Sequence, residues 1–161
     1  MNGEEPSTGS SRFVAPFDVD AFLARPLVAR LATAGPAVRP IWYLWEGGSF
    51  WWLTGSYSRL AEILRSDPRV ALVVDTCDLG TGQAQVVSAR GRADVVPLDR
   101  ARATRKLSRY LGADETLWDE RFRAALSDPD TRLVQLVPIS IRAWDRSFLP
   151  SGRRAGCRGH G

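Results

Sequence analysis

The chain has 161 residues, of which 44% are hydrophobic and 25% are charged, as in an ordinary globular protein. This length is enough to bury the core of one domain without disulfide or metal staples. The sequence has no apolar run of about eighteen residues, which a membrane span needs, and its acidic N-terminus lacks the apolar region of a signal peptide. We therefore expect a cytoplasmic protein that does not associate with a membrane.

The formal net charge of +4 does not by itself predict a nucleic-acid partner. Three of the arginines lie in the last eleven residues, which have the composition of a disordered segment, and the remaining chain is close to neutral. Lys106 is the only lysine in a chain with 22 basic residues. The two cysteines have no metal-ligand spacing, and the single histidine, His160, lies in the same terminal segment. We predict neither a metal site nor nucleic-acid binding.

The beginning of the chain predicts a tail, a short helix and a first strand. Residues 1–12 are rich in Gly, Ser and Pro and are expected to be disordered. Asp18 is a good N-cap for a helix over 17–23, and Pro26 ends it. Alternation of apolar residues predicts a strand over 27–33. Ala34-Gly35-Pro36 then predicts a turn that leads to a second strand.

An aromatic hairpin is the strongest local pattern in the sequence. Four of the six tryptophans flank the Gly47-Gly48 pair: Trp42, Trp45, Trp51 and Trp52. Gly-Gly tolerates the positive φ of a two-residue hairpin turn, and aromatic side chains favour strands. We expect Trp51 and Trp52 to pack in the core.

The hairpin leads into a turn of small and hydroxyl residues, 54–58, followed by a predicted helix from Ser58 to Ser66. A strand, such a turn and a helix with free N–H groups can form an anion site. The same residues can equally serve as a helix cap, since Ser and Thr are preferred there.

The second half of the chain predicts two long strands, two helices and a final strand. Strands are expected over 69–75 and 84–96, and Gly91 predicts a bulge or bend within the second. Asp99 caps a helix with one basic face, which we expect to be solvated, with anion binding as the alternative: Arg102, Arg105, Lys106 and Arg109. A further helix is predicted over 115–126, and a last strand over 132–144 contains Pro138, which implies an edge or a bulge.

These elements predict a mainly β fold, a small antiparallel barrel with helical additions. We expect one domain over 13–148, and residues 149–161 to form a disordered basic C-terminal tail.

The order of these features resembles the pyridoxamine-phosphate-oxidase-like split β-barrel, and within it the flavin/deazaflavin oxidoreductase branch. The resemblance covers about residues 17–144. It rests on Leu31-Ala32-Thr33 before a Gly-Pro turn, the run 40–48, Asp67-Pro68-Arg69-Val70, the Gly91 strand, Trp118-Asp119 and the run 136–140. It implies a six-stranded antiparallel split barrel of Greek-key type that forms a homodimer.

The resemblance also implies a cofactor, FMN or the deazaflavin coenzyme F420, bound in a groove between the subunits. The cofactor would exchange a hydride with a small organic substrate. The positions that correspond to cofactor-binding residues are Arg39, Pro40, Ile41 and Trp42 near the ring, and Thr54, Gly55, Ser56, Ser58 and Arg59 near the phosphate or ribityl group. No catalytic residue is assigned from the sequence.

One departure from the family pattern affects the phosphate site. Many members have a lysine two residues after the serine, where this chain has Leu60. Arg59 is adjacent, but a shift of one residue on a helix turns the side chain by about 100°. Three functions therefore stay open: a flavin- or deazaflavin-dependent oxidoreductase, a non-catalytic module that binds a flavin, a deazaflavin or haem, and a barrel that has lost its cofactor site and acts through protein contacts.

Overall fold

Seven antiparallel strands, four α-helices and one 3₁₀ turn make up residues 15–35 and 37–150, the part of the chain that the computed structural model describes. The strands are β1 (Val28–Thr33), β2 (Ala37–Trp42), β3 (Leu44–Glu46), β4 (Ser49–Thr54), β5 (Arg69–Cys77), β6 (Ala84–Pro97) and β7 (Arg132–Asp145). The helices are α1 (Val19–Leu23), α2 (Leu60–Ser66), α3 (Arg100–Leu111) and α4 (Glu120–Ala125), and the 3₁₀ turn is Glu115–Leu117. The predicted tail 1–12 and nearly all of the predicted tail 149–161 lie outside the described residues.

The strands form one sheet in the order β2-β1-β5-β6-β7-β4-β3. Its two edge strands, β2 and β3, belong to one segment of chain and are separated by Tyr43 alone. The sheet must therefore curl until its opposite edges lie within one residue of each other, which makes it a split barrel. The predicted mainly β, antiparallel split-barrel class is confirmed, with seven strands where six were predicted, because the bend at Tyr43 divides the aromatic strand in two. The predicted dimer stays a prediction.

Hydrogen bonds from α3 hold the bend at Tyr43. The Tyr43 amide donates to the Tyr110 hydroxyl oxygen at 3.1 Å. The same hydroxyl lies 2.7 Å from the Leu27 carbonyl oxygen and 3.0 Å from that of Tyr43, so it has an acceptor whichever way its proton points. The Tyr110 side chain therefore binds the backbone of Leu27, just before β1, and of Tyr43, just after β2.

The core lies inside the curled sheet, and a second apolar layer lies outside it under α3. Trp52 and Phe50 are fully buried in the inner cluster. Trp51 points to the other side of β4 and packs with Leu44 and Leu133. The prediction that Trp51 and Trp52 are core residues is confirmed, with exposed fractions of 8% and 0%.

Two predicted glycine features are confirmed. Gly47 and Gly48 join β3 to β4 with φ values of 60° and 69°, the left-handed pair of a tight hairpin. Gly91 lies opposite Pro138 at a register shift between β6 and β7. A Cβ on Gly91 would lie 2.8 Å from the Val137 carbonyl oxygen, so the backbones approach too closely there for any other residue.

The predicted helix over 115–126 is wrong as a single element. Trp118 is extended, with ψ near 148°, and separates the 3₁₀ turn from α4. Its indole N–H donates to the Gly112 carbonyl oxygen at 2.9 Å, and the ring is buried against α3. Asp119 then starts α4 as its N-cap and accepts a hydrogen bond from the Arg121 amide.

The basic face of α3 is less solvated than predicted, and of its four residues only Arg105 is exposed. Arg102 and Arg105 bind the Glu46 carboxylate, and the Arg102 guanidinium lies over the Trp51 ring, 3.9 Å from its centroid. Arg109 donates to the carbonyl oxygens that follow α1, including that of Arg25 at 2.7 Å. Lys106 is buried. This face docks α3 against the barrel.

No helix within residues 15–35 and 37–150 is long and apolar enough to span a membrane.

We predict that Tyr110→Phe lowers the free energy of unfolding by about 1–3 kcal/mol, because the Leu27 and Tyr43 backbone groups lose their partner at the bend. Urea unfolding followed by circular dichroism measures the loss. Tyr57→Phe is the matched control, because the Tyr57 side chain is exposed and its hydroxyl makes no hydrogen bond within the described residues. Equal stability of the Tyr110 variant and the wild type would contradict this account of the bend.

Candidate functional site

A single cavity of about 1070 Å³ brings together the two separate stretches that the sequence predicts to bind a cofactor. It lies between the edge strand β2, the turn after β4, helix α3 and the segment that contains α4. From the predicted set, the residues that line it are Arg39, Pro40, Ile41, Trp42, Thr54 and Ser58. Gly55, Ser56 and Arg59 are not among the lining residues.

Strand β2 forms one wall of this cavity. Its Trp42 ring stacks on Tyr110, with centroids 4.6 Å apart, and on Phe122, with centroids 5.4 Å apart. The indole is therefore fixed by aromatic neighbours from α3 and α4. The Arg39 guanidinium donates to the Thr33 hydroxyl at 3.1 Å and is half-buried. β2 therefore gives the cavity an aromatic surface beside a cation.

The turn after β4 forms the floor of the cavity, and its serine acts as a cap. The Ser58 hydroxyl accepts a hydrogen bond from the Leu60 amide at 3.1 Å, and the Ser58 amide donates to the Gly55 carbonyl oxygen. One free N–H of α2 is therefore already satisfied within the protein. Gly55 is buried beneath Tyr57, whose ring a Cβ on Gly55 would approach to 2.9 Å.

The corner itself carries no cation that faces the cavity. Leu60 is 4% exposed, belongs to the inner core cluster and also lines the cavity. The Arg59 side chain is 81% exposed and pairs with Glu62 on the surface. The structure thus places Arg59 away from the cavity lining, and its predicted cofactor contact stays a prediction.

Helix α3 supplies the cation that the corner lacks. Lys106 lines the cavity, is 5% exposed and has its ammonium 5.8 Å from the Trp42 ring centroid. It makes no hydrogen bond or ion pair within the described residues. Burial away from water lowers the pKa of Lys106 to about 8 from its ordinary value of 10.5.

Two buried hydroxyls at the cavity also lack partners. Thr54 and Thr131 line it, are 0% and 1% exposed, and neither hydroxyl makes a hydrogen bond within the described residues. They are close in the fold because Thr54 pairs with Arg132, the residue after Thr131, in the β4–β7 ladder. Unsatisfied buried polar groups are uncommon, and a bound water or ligand usually accounts for them.

The segment that contains α4 forms the remaining wall of the cavity and carries one positive and one negative side chain, Arg121 and Asp128. Arg121 lies over the Phe122 ring, 4.7 Å from its centroid, and has a largely exposed side chain. Asp128 also lines the cavity and accepts a hydrogen bond from the Asp130 amide at 2.8 Å.

Sequence reasoning did not place Lys106, Tyr57 or the α4 segment at this site. The helical wheel places Lys106 with the arginines of α3, at the border between its basic and its apolar faces. Its status as the only lysine was the available signal. Phe122, Asp128 and Thr131 gave no local signal, because they reach the cavity only through tertiary packing.

We predict that Lys106→Met makes the ligand-free protein more stable near neutral pH. The lowered pKa corresponds to a cost of about 3 kcal/mol at most for holding the ammonium in the folded state. The cost is complete below about pH 8 and disappears as pH rises to about 10.5, since the folded state loses its proton first. The advantage of the variant in urea unfolding should shrink over that range. A less stable variant, or a pH-independent difference, would contradict the burial of a charged lysine.

Comparison with solved structures shows the same fold in several proteins. A conserved hypothetical protein from Mycobacterium tuberculosis has a TM-score of 0.63 and 24% identity, covering 79% of this chain and 82% of that chain. A protein named F420 reductase has a TM-score of 0.59 and 22% identity, covering 79% and 98%. An FAD-binding protein from Mycobacterium smegmatis has a TM-score of 0.53 and 18% identity, covering 80% and 94%.

The family comparison covers the whole barrel. No curated protein matches the sequence. The model of the pyridoxamine 5'-phosphate oxidase family matches residues 17–145, from the start of the first helix region to the end of β7. The chain therefore belongs to the pyridoxamine 5'-phosphate oxidase family.

Proposed function

We propose that this protein is an oxidoreductase in which a bound flavin or the deazaflavin coenzyme F420 exchanges a hydride with a small organic substrate. The observation that carries the proposal is the shared cavity of β2 and the corner after β4. These are the two stretches that the family resemblance assigns to the cofactor ring and to its phosphate or ribityl group.

The residues of the cavity fit such a cofactor. Its volume of about 1070 Å³ slightly exceeds the range of about 300–1,000 Å³ that is typical of ligand pockets. Its walls combine an aromatic surface at Trp42 with the buried, unbonded hydroxyls of Thr54 and Thr131 and with the Lys106 ammonium. Such walls would complement a planar ring that bears a polyol and a phosphate. The bound cofactor would supply hydride transfer, and the protein would supply orientation and electrostatics.

We assign the chain's own residues to positioning. β2, from Arg39 to Trp42, would face the ring. The hydroxyls of Thr54 and Thr131 would bind the polar chain, which satisfies groups that lack protein partners. Trp42 and Phe122 would exclude water from that side of the cavity, because their stacked rings form its apolar wall. The names of an F420 reductase and of FAD-binding proteins among its structural neighbours support testing flavin-type cofactors.

One observation favours a second candidate, a barrel that has lost its phosphate site. Leu60 is packed in the core at the position where many members of the family carry lysine, and Arg59 pairs with Glu62. If no other residue compensates, a phosphate would have no cation at that corner. The protein would then act through contacts with other proteins.

We predict that the purified, cofactor-free protein binds FMN or coenzyme F420 at micromolar concentration in calorimetric titrations. Arg39→Ala should weaken that binding by about tenfold or more, because it removes a half-buried cation from the β2 wall. Arg65→Ala is the matched control, since this exposed arginine at the end of α2 does not line the cavity.

Turnover separates the remaining alternatives. Hydride transfer between the bound cofactor and added organic acceptors supports the oxidoreductase, and tight binding without transfer supports a non-catalytic module. A folded protein that binds neither FMN nor F420 would contradict the proposed function and leave the second candidate.

We also propose that the protein is a homodimer whose second copy covers the outer face of β1, β2 and β5. That face carries a shallow groove of about 490 Å³ lined by Ala32, Val38, Ala71 and Val73, together with the ion pair of Arg30 and Asp75. Val38 is 68% exposed and Val28 is 40% exposed. Apolar residues grouped on one exposed face are typical of a protein–protein interface.

We predict that light scattering coupled to size-exclusion chromatography gives twice the chain mass for the wild type. Val38→Glu should give a monomer, because the dimer would have to bury an unpaired carboxylate. The control is Leu117→Glu, at an apolar residue that is 80% exposed in the 3₁₀ turn, away from this face. A monomeric wild type, or a Val38 variant that stays dimeric, would contradict the assigned face.

A further inference from the structure

We propose that Lys106 anchors an anionic group, a phosphate or a carboxylate, of the molecule that binds in this cavity. The inference deepens the proposed function and rests on it only in that the cavity binds a small molecule. The sequence pattern favoured a solvated basic face on α3 and left anion binding as the alternative.

The first argument concerns which basic residue is buried. The chain has 22 basic residues, and Lys106 is the single lysine among them. Within residues 15–35 and 37–150, Lys106 is also the single charged residue that is buried. A lysine ammonium is a compact point charge on a flexible stem with three donors, which suits it to pairing with an anion inside a cavity.

The second argument concerns the missing partner. The neighbouring arginines of α3 are satisfied: Arg102 and Arg105 by Glu46, and Arg109 by carbonyl oxygens. Among the described residues, the Lys106 ammonium has neither a carboxylate nor a carbonyl oxygen within hydrogen-bonding distance. It faces the Trp42 ring. A buried charge of this kind is costly unless something pairs with it. A ligand anion would provide the pairing that the protein does not.

The third argument concerns position. Lys106 lies one turn before Tyr110, whose hydroxyl is fixed at the barrel bend, and beside Ala103 and Leu107, which are 0% and 1% exposed. The backbone from which its stem extends is therefore fixed by packing against the barrel. The ammonium is therefore held at the cavity by the packing that closes the barrel, and such preorganisation is what a binding residue requires.

The fourth argument concerns the sign of the charge in the cavity. Three cationic residues line it, Arg39, Lys106 and Arg121, against the single carboxylate of Asp128. The other titratable group at the wall is Tyr57. The corner after β4 contributes no cation, so the positive charge comes mainly from the opposite walls. An anion is the complementary ligand.

The single lysine allows a direct test. Protein grown with lysine labelled at Cε gives one lysine side-chain signal in NMR spectra, which is that of Lys106. We expect FMN or coenzyme F420 to shift this signal and to raise the pKa of Lys106, because the phosphate stabilises the ammonium. Riboflavin, which lacks the phosphate, should do neither.

Calorimetry with matched variants gives the second measurement. Lys106→Met should weaken FMN binding by about tenfold or more and leave riboflavin binding within about twofold, because only the phosphate contact is lost. Lys106→Arg should recover part of the FMN affinity, since it restores the charge. Arg105→Met removes the same charge from the next residue toward the N-terminus of α3, outside the cavity, and should leave both affinities unchanged.

The outcomes distinguish an anion of the cofactor from an anion of the substrate. They also distinguish failure of this inference from failure of the proposed function. If FMN binds equally well to wild type and Lys106→Met, but inorganic phosphate shifts the lysine signal of the flavin-loaded protein, the anion belongs to the substrate. If neither phosphate-bearing cofactor nor inorganic phosphate moves the signal, the inference is overturned even when flavin binds. If the wild type binds no flavin or deazaflavin, the proposed function fails, and the response of Lys106 to inorganic phosphate still decides the inference.

Discussion

The bend at Tyr43 is the constraint on which the rest of the fold depends. It lets one stretch of chain serve as both edges of the sheet, so that β2 pairs with β1 and β3 pairs with β4. A sheet whose edges are neighbours in sequence has to curl, and curling encloses the Trp52 and Phe50 core. The Tyr110 hydroxyl holds the bend by bonding the backbone of Tyr43 and Leu27, which ties closure of the barrel to the docking of α3.

The same docking builds the cavity. One turn of α3 separates the tyrosine that fixes the bend from the lysine that lines the cavity, and Trp42 contacts both, by stacking on Tyr110 and by facing the Lys106 ammonium. A buried ammonium without a partner opposes folding, whereas methionine at that position would favour it. A destabilising charged group at a cavity is typical of a binding site, where function is gained at the expense of the free energy of unfolding. In this barrel the cost would be recovered when an anion binds.

Sequence patterns predicted the elements well wherever the pattern was local. Gly47-Gly48 identified the hairpin, Gly91 and Pro138 identified the bulge, and Asp18 and Asp99 identified helix starts, since each depends on neighbouring residues alone. The split of the aromatic strand at Tyr43 was missed because the bend depends on Tyr110, 67 residues later. Half of the site was predictable from the family resemblance. The α3 and α4 walls were not, because the helical wheel places Lys106 on one face with three arginines, and the partners of those arginines appear only in the folded chain.

The central claim is that the cavity between β2, the corner after β4, α3 and α4 holds the cofactor, with Lys106 as its anion anchor. A crystal structure of the protein grown with whichever of FMN or coenzyme F420 binds more tightly tests this claim most directly. We predict density for the ring along Arg39–Trp42 and a phosphate within hydrogen-bonding distance of the Lys106 ammonium. A cofactor bound outside this cavity, or one whose anionic groups lie away from Lys106 while the ammonium stays unpaired, would contradict the account.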